Sequence, residues 1–160
     1  MQKIYNIDNL NLLIKNLLDK KVVLIGGCFD VIHSGHLQFI KASKKLGDTL
    51  ILLLENDKTI KKNKGENRPL NKQLIRAENL AKLGEIDYII LLDNNMENIS
   101  YDSLVSSLKP AIIATTKGDE NIAHKIRQAK LVGAKVEEVV ERLPYSTTEI
   151  LSSNKRYEIK

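Results

Sequence analysis

The pattern that most limits what this chain can fold into is an alternation of short apolar runs with longer stretches of helical spacing. Residues 22–25, Val-Val-Leu-Ile, run straight into Gly26 and Gly27. A brief apolar run stopped by glycines predicts a buried parallel strand. Thr49–Leu54 is a second such run. Between them, residues 37–46 carry Leu37, Ile40 and Leu46 at helical spacing, with small residues at Ala42 and Ser43, and Gly47 closes the stretch. Strand, glycine turn, helix, strand is a βαβ crossover. The alternation goes on: a helix over 71–83 closed by Gly84, a strand over 88–92, a helix over 101–108 stopped by Pro110, a strand over 111–114, a helix over 121–132 closed by Gly133, and a strand over 135–140. A last helix is expected to start near Ser146. This order predicts an α/β fold, a single doubly wound, Rossmann-like parallel sheet of five strands with helices on both faces. Residues 61–69 and 115–120 fit neither period and are expected as loops at the carboxyl edge of the sheet, where ligands bind in open α/β folds.

Ahead of the first strand, residues 8–18 read as an amphipathic helix capped by Asp8. Residues 1–20 are therefore expected as an N-terminal helical segment and 21–160 as one domain, in keeping with a length of 160 residues. With 42% hydrophobic residues but only 4% aromatics, the core must be built from Ile, Leu and Val. No apolar run approaches the roughly 18 residues of a membrane span. The start of the chain lacks the continuous apolar stretch of a signal peptide. The single cysteine, Cys28, excludes an intrachain disulfide and any cysteine-built metal site, and a cytoplasmic setting is expected. The net charge of +5 attracts anions. Its lysines are scattered with almost no aromatic interleaving, which argues against nucleic acid and for a phosphate-bearing small molecule.

The chemistry concentrates in Gly26-Gly27-Cys28-Phe29-Asp30-Val31-Ile32-His33-Ser34-Gly35-His36. A strand runs into a glycine turn and the next helix begins near Ser34, which can cap it. Open N–H groups and the positive dipole end then face the sheet edge, an anion site. Gly35 leaves room for a ligand to approach the backbone. His33 and His36 lie beside that end, and imidazole donates to phosphate oxygens and titrates near neutral pH.

The Gly-x-Phe-Asp-x-x-His-x-Gly-His stretch resembles the HxGH signature of the cytidylyltransferase-like nucleotidyltransferases. Lys64-Gly65-Glu66-Asn67-Arg68-Pro69-Leu70-Asn71, followed by Arg76, is similar to a run in the heptose 1-phosphate adenylyltransferases. So is Tyr145-Ser146-Thr147-Thr148-Glu149-Ile150. The resemblance implies that His33, His36 and Lys64 are catalytic. It implies that Gly27, Cys28, Phe29, Asp30, Gly35, Asn56, Asp57, Arg68, Ser146, Thr147 and Thr148 meet the nucleotide. Arg76, Lys117 and Arg142 are further candidates; from its helical position, Arg76 is expected to pair along its own helix. Cytidylyltransferases carry an arginine just before the third core strand, and residues 83–88 here have none, which favours adenylyl transfer. Thr115-Thr116-Lys117-Gly118-Asp119-Glu120 departs from the Lys-Gly-Gly-Asp-Tyr of the heptose enzymes and bears on the acceptor.

The implied reaction moves a nucleotidyl group, AMP from ATP, onto a sugar phosphate such as heptose 1-phosphate and releases pyrophosphate. Mg²⁺ is expected with the nucleoside triphosphate, held by its phosphates rather than by protein side chains. Cytidylyl transfer to glycerol 3-phosphate or a similar alcohol phosphate, and adenylyl transfer to FMN, are alternatives. A nucleotide-binding module without turnover is the non-enzymatic one. The resemblance also implies a homodimer.

Overall fold

The structure, a computed structural model, describes residues 2–141. Its strands are β1 (Ile4–Asn6), β2 (Val22–Gly27), β3 (Thr49–Leu54), β4 (Tyr88–Leu91), β5 (Ile112–Lys117) and β6 (Lys135–Glu141). The α-helices are α1 (Leu10–Ile14), α2 (Ser34–Lys44), α3 (Asp57–Lys64), α4 (Gln73–Ala81), α5 (Asn98–Leu108) and α6 (Ile122–Val132). One sheet holds all six strands in the order β1-β4-β3-β2-β5-β6, and every pairing is parallel. The alternation of runs and helices is thus realised as a doubly wound sheet, with six strands instead of five.

The additional strand is β1, paired to β4 through Ile4–Ile89, Tyr5–Ile90 and Asn6–Leu91. Three residues are too few to show a period of two, so the sequence alone carries no signal for it. The stretch behind it is not the continuous helix expected over 8–18. It is α1 flanked by single 3₁₀ turns at Ile7–Asn9 and Lys15–Leu17. Nor does Asp8 cap it: the Asn6 N–H donates to Asn9 Oδ1 at 2.8 Å. Leu10, Leu13 and Leu17 nevertheless keep helical spacing and are buried with Tyr5, so residues 4–17 join the same core as the rest of the sheet.

Each strand splits its side chains between two layers, as a period of two requires. Val22, Leu24, Ile51, Leu53 and Ile90 pack beneath α1, α5 and α6. Val23, Ile25, Leu50, Leu52 and Leu54 pack beneath α2 and α4 through Phe39, Ile40, Ala77 and Leu80. β3 is buried along its whole length, as a central parallel strand must be. α3 starts ahead of the stretch 61–69 expected as loop and runs into it as far as Lys64. It escapes sequence reading because it buries only Ile60 and shows no apolar face. The helix expected near Ser146 lies outside the described residues. Among the described residues, no helix is long and apolar enough to cross a membrane.

The order of strands reverses between β2 and β5. Successive crossovers from β2 build toward β3 and β4, whereas β5 and β6 build the other way. The loops that leave β2 and β5 therefore part at their carboxyl ends and open a crevice there.

The α2–β3 corner is closed by a close approach. A Cβ on Gly47 would lie 2.5 Å from the Lys21 carbonyl oxygen and 2.8 Å from Val23 Cγ2. That carbonyl also accepts from Asp48 N at 2.9 Å, so it has no room to retreat. Gly47→Ala is expected to cost about 1–3 kcal/mol in urea unfolding. Gly84→Ala, where no atom lies within 4 Å of the new Cβ, should stay within about 0.5 kcal/mol of wild type.

Candidate active site

The glycine turn after β2 is shaped by Phe29. Its backbone is left-handed at φ 47°, a conformation that costs a side-chain-bearing residue energy. Burial of the ring, 5% exposed, offsets that cost. A Cβ on Gly27 would meet Phe29 Cε2 at 2.7 Å, so only glycine lets the ring fold back against the turn. The ring then packs against His36 with centroids 5.0 Å apart.

α2 starts immediately after. His33, not Ser34, is its cap: His33 Nδ1 accepts from Gly35 N at 3.1 Å. His36 Nδ1 in turn accepts from His33 N at 3.3 Å. The two rings stack with centroids 3.8 Å apart. A nitrogen that accepts carries no proton, so each neutral ring holds its proton on Nε2. The box also fixes the charge state. Burial, reinforced by the neighbouring His33 and the Lys64 charge, pushes His36 down to about 3, against a hydrogen bond with the Val31 backbone. Burial lowers His33 as well. The histidines are therefore neutral donors at neutral pH, and the expectation that they titrate there is corrected.

Asp30 is a latch. Its carboxylate accepts from Arg68 Nε at 2.9 Å, Leu70 N at 2.7 Å and Asn71 N at 2.9 Å. Burial works against its ionisation, but the Leu70, Asn71 and Arg68 hydrogen bonds outweigh it and hold the carboxyl below its usual range. Asp30 and Arg68 are thus paired through Nε, with both side chains buried.

Arg76 is only 1% exposed and does not pair along its own helix as expected. Its Nε donates to Asn71 O at 3.0 Å, Nη1 to Cys28 O at 2.6 Å, and Nη2 to Glu55 O at 2.9 Å and Asp57 Oδ1 at 2.7 Å. Asn56 is equally committed. Its Oδ1 caps α3 by accepting from Thr59 N at 2.8 Å, and its Nδ2 donates to Asp93 O at 2.8 Å. Gln73 ties the ends of β3 and β4 by donating to Leu54 O and Leu92 O.

At the switch point lies a cleft of about 270 Å³. Gly27, Cys28, Phe29 and His36 form one wall; Thr115, Asp119 and Lys125 stand in the other. His33 backs His36 without lining this cleft. Cys28 is half-buried, and burial raises its thiol, against the lowering charge of Lys64. Lys64 ends α3 and is exposed, and its charge acts on both Cys28 and His36 without its lining the cleft. Lys117 is not brought in. It lines a separate groove with Ile122, Ile126 and Lys130. Arg142, Ser146, Thr147 and Thr148 lie outside the described residues.

Residues 115–120 do reach the sheet edge as expected, but 115–117 end β5 instead of forming loop. Sequence reasoning missed that Thr115, Asp119 and Lys125 meet there. Thr115 Oγ1 donates to Asp119 Oδ2 at 2.6 Å, and Lys125 Nζ reaches both Thr115 Oγ1, at 3.0 Å, and Asp119 Oδ2. Burial opposes ionisation of Asp119, but Lys125, Thr115 and the Asn121 N–H lower its pKa on balance. The available signal was positional: residues 115–120 end a strand next to a strand–glycine turn. Among the described residues no group of three or more His, Cys, Asp or Glu side chains converges as a metal site.

Two measurements test this geometry. The ring signals of His36 in NMR are expected to stay flat between about pH 8 and pH 5; a midpoint near the ordinary 6.5 would contradict the buried box. An unfolded His36 takes up a proton below 6.5 and the folded one does not, so its contribution to stability falls as pH drops through that point towards about 3. Arg76→Met keeps the bulk and removes four hydrogen bonds. It is expected to lower unfolding free energy by about 3 kcal/mol or more in urea titration.

Comparison with known proteins agrees with this arrangement. A family model described as cytidylyltransferase-like matches residues 24–155. The bifunctional protein HldE of Campylobacter jejuni subsp. doylei is 36% identical over 137 residues, covering 86% of this chain and 28% of its own length. That of Nitratiruptor sp. is 36% identical over 132 residues, covering 78% of this chain and again 28% of its own. The chain thus spans little more than a quarter of the length of these curated relatives. Among solved structures, a lipopolysaccharide core biosynthesis protein from Thermoplasma volcanium superposes with a TM-score of 0.62 at 26% identity, covering 79% of this chain and 99% of that one. A pantoate-beta-alanine ligase from Francisella tularensis, at 16% identity and a TM-score of 0.66, shares the fold over 96% of this chain and 77% of its own. With its HxGH box at the switch point of a doubly wound sheet and a family match over most of its length, the chain belongs to the cytidylyltransferase-like nucleotidyltransferases.

Proposed function

We propose that this chain transfers AMP from ATP to the phosphate of a sugar phosphate such as heptose 1-phosphate and releases pyrophosphate. The observation that carries the reading is the neutral histidine box at the start of α2, beside the glycine turn and at the switch point. The likeness to the HldE proteins and to the lipopolysaccharide protein supports a sugar phosphate as acceptor. The missing arginine before β4 supports the adenylyl group.

In this reading a phosphate oxygen of the acceptor attacks the α-phosphorus of ATP. The new O–P bond forms as the bond to the β-phosphate oxygen breaks, and that oxygen leaves with pyrophosphate. The acceptor attacks directly and no residue is nucleotidylated in between, so catalysis is positioning and charge stabilisation. His36 would turn its Nε2–H from the Val31 backbone onto phosphate oxygens when the nucleotide binds, and His33 holds that ring in place by stacking and capping. Neutral donors serve here without the cost of keeping two stacked rings charged. Lys64 supplies the mobile cation for the leaving pyrophosphate. By resemblance, Ser146, Thr147 and Thr148 also meet the nucleotide. Asp30, Arg76 and Asn56 hold the walls, since their polar groups are taken up by one another, by Arg68 and Asp57 and by backbone. Magnesium would ride on the triphosphate and screen its charge.

The deciding experiment is a screen of purified protein with ATP or CTP against heptose 1-phosphate, glycerol 3-phosphate and FMN, reading pyrophosphate. ATP with the sugar phosphate should turn over fastest. His36→Ala should lower turnover by about a hundredfold or more. Unchanged turnover in that variant, or ATP binding with no pyrophosphate from any acceptor, overturns the reading.

A further inference from the structure

The loops leaving β2 and β3 touch. Glu55 N donates to Gly27 O at 3.0 Å, and Glu55 O accepts from Arg76 Nη2 at 2.9 Å. The backbone of Glu55 is thereby fixed beside the glycine turn, and its side chain is half-buried. Oε1 accepts from Asn56 N at 3.1 Å and Asn56 Nδ2 at 2.9 Å. Among the described residues, Oε2 receives only the Tyr101 hydroxyl, at a long 3.3 Å, with the same hydroxyl 3.4 Å from Oε1. The charge of Glu55 also acts on the thiol of Cys28, which lines the cleft.

A carboxylate held beside the glycine turn, just outside the lining of the cleft, is a poor neighbour for phosphate. It repels phosphate oxygens, and it can only accept hydrogen bonds. The ligand group that suits it is a neutral donor, and the hydroxyls of a sugar are such donors. Tyr101 completes the set. Burial, with the Glu55 charge and its hydrogen bond, pushes its hydroxyl up to about 12, so it remains a protonated donor and acceptor.

We infer that Glu55 and Tyr101 read the hydroxyls of the acceptor: Glu55 Oε2 accepts from a sugar hydroxyl, and Tyr101 reaches from α5 to the same group. The inference rests on the sugar-phosphate reading above and adds the residues that select the sugar. It also gives the acceptor a direction. Its hydroxyl end faces Glu55, and its phosphate end faces away, toward the positive side set by Lys64 and the donors of the histidine box.

The test uses the whole chain, ATP, whichever sugar 1-phosphate is active in the acceptor screen, and the monodeoxy analogues of that sugar. Glu55→Gln should raise KM for the sugar phosphate about tenfold to a hundredfold, the worth of a charge-assisted hydrogen bond, and leave KM for ATP within about twofold. Tyr101→Phe should split the two constants in the same sense but less. One deoxy analogue should lose rate with the wild type and lose little more with E55Q, because the contact is already gone. Equal rises in both KM values, or a fall in kcat alone, would mark Glu55 as a prop of the loop and overturn the inference. If melting curves show that E55Q does not fold, the Tyr101→Phe split decides by the same criteria. Absence of turnover by wild type with every sugar phosphate would sink the parent reading, and this one with it. Turnover by wild type with no split in the variants sinks this one alone.

Discussion

The guanidinium of Arg76 binds together the turn after β2, the loop after β3 and the approach to α4. Its four bonds go to Cys28, Glu55, Asp57 and Asn71, and three of those acceptors are backbone carbonyls. Carbonyls at the carboxyl ends of parallel strands have no partner in the ladder once the strands part. Burying them without a donor would cost about 1–3 kcal/mol each. One planar cation with five donors in a fixed fork reaches all of them at once, where a lysine offers three donors from a single nitrogen. Asp30 does the matching task from the other side, collecting the N–H groups of Leu70 and Asn71 and the side chain of Arg68. The two residues make a rigid frame of what are nominally loops, and the histidine box is mounted on that frame.

That frame explains why the site runs on neutral imidazoles. Rings 3.8 Å apart cannot both ionise without mutual repulsion, and burial on the Phe29 side removes the water that would soften it. The Nδ1 atoms are spent on the backbone of α2, so the cap that starts the helix and the tautomer that serves phosphate are one arrangement. In the proposed reaction positive charge comes instead from Lys64 at an exposed helix end, where an ammonium keeps its hydration until a ligand arrives.

Much of this was legible in the amino-acid order. The runs at β2 and β3 declare themselves because both faces are buried and every position but Thr49 is apolar or glycine. The glycine turn and its histidines stand out because strand, turn and helix chemistry coincide there. What stayed hidden has physical causes. β1 is an edge strand of three residues, stabilised by pairing to β4 and not by its own pattern. Arg76 looks like any surface arginine until the fold brings carbonyls from 48 and 21 residues away to meet it. The Thr115–Asp119–Lys125 cluster spans a strand end and a helix, a spacing with no local signature.

α3 contributes a single buried side chain, Ile60, and is otherwise held by its cap and by Arg76 at Asp57. Its outward positions, Lys58, Lys61, Lys62 and Lys64, are almost uncoupled from the stability of the sheet. The electrostatic character of the mouth can therefore drift, residue by residue, without the fold registering the change. A scaffold that separates these two demands lets selection retune which anion is drawn in while the machinery beneath stays as it is.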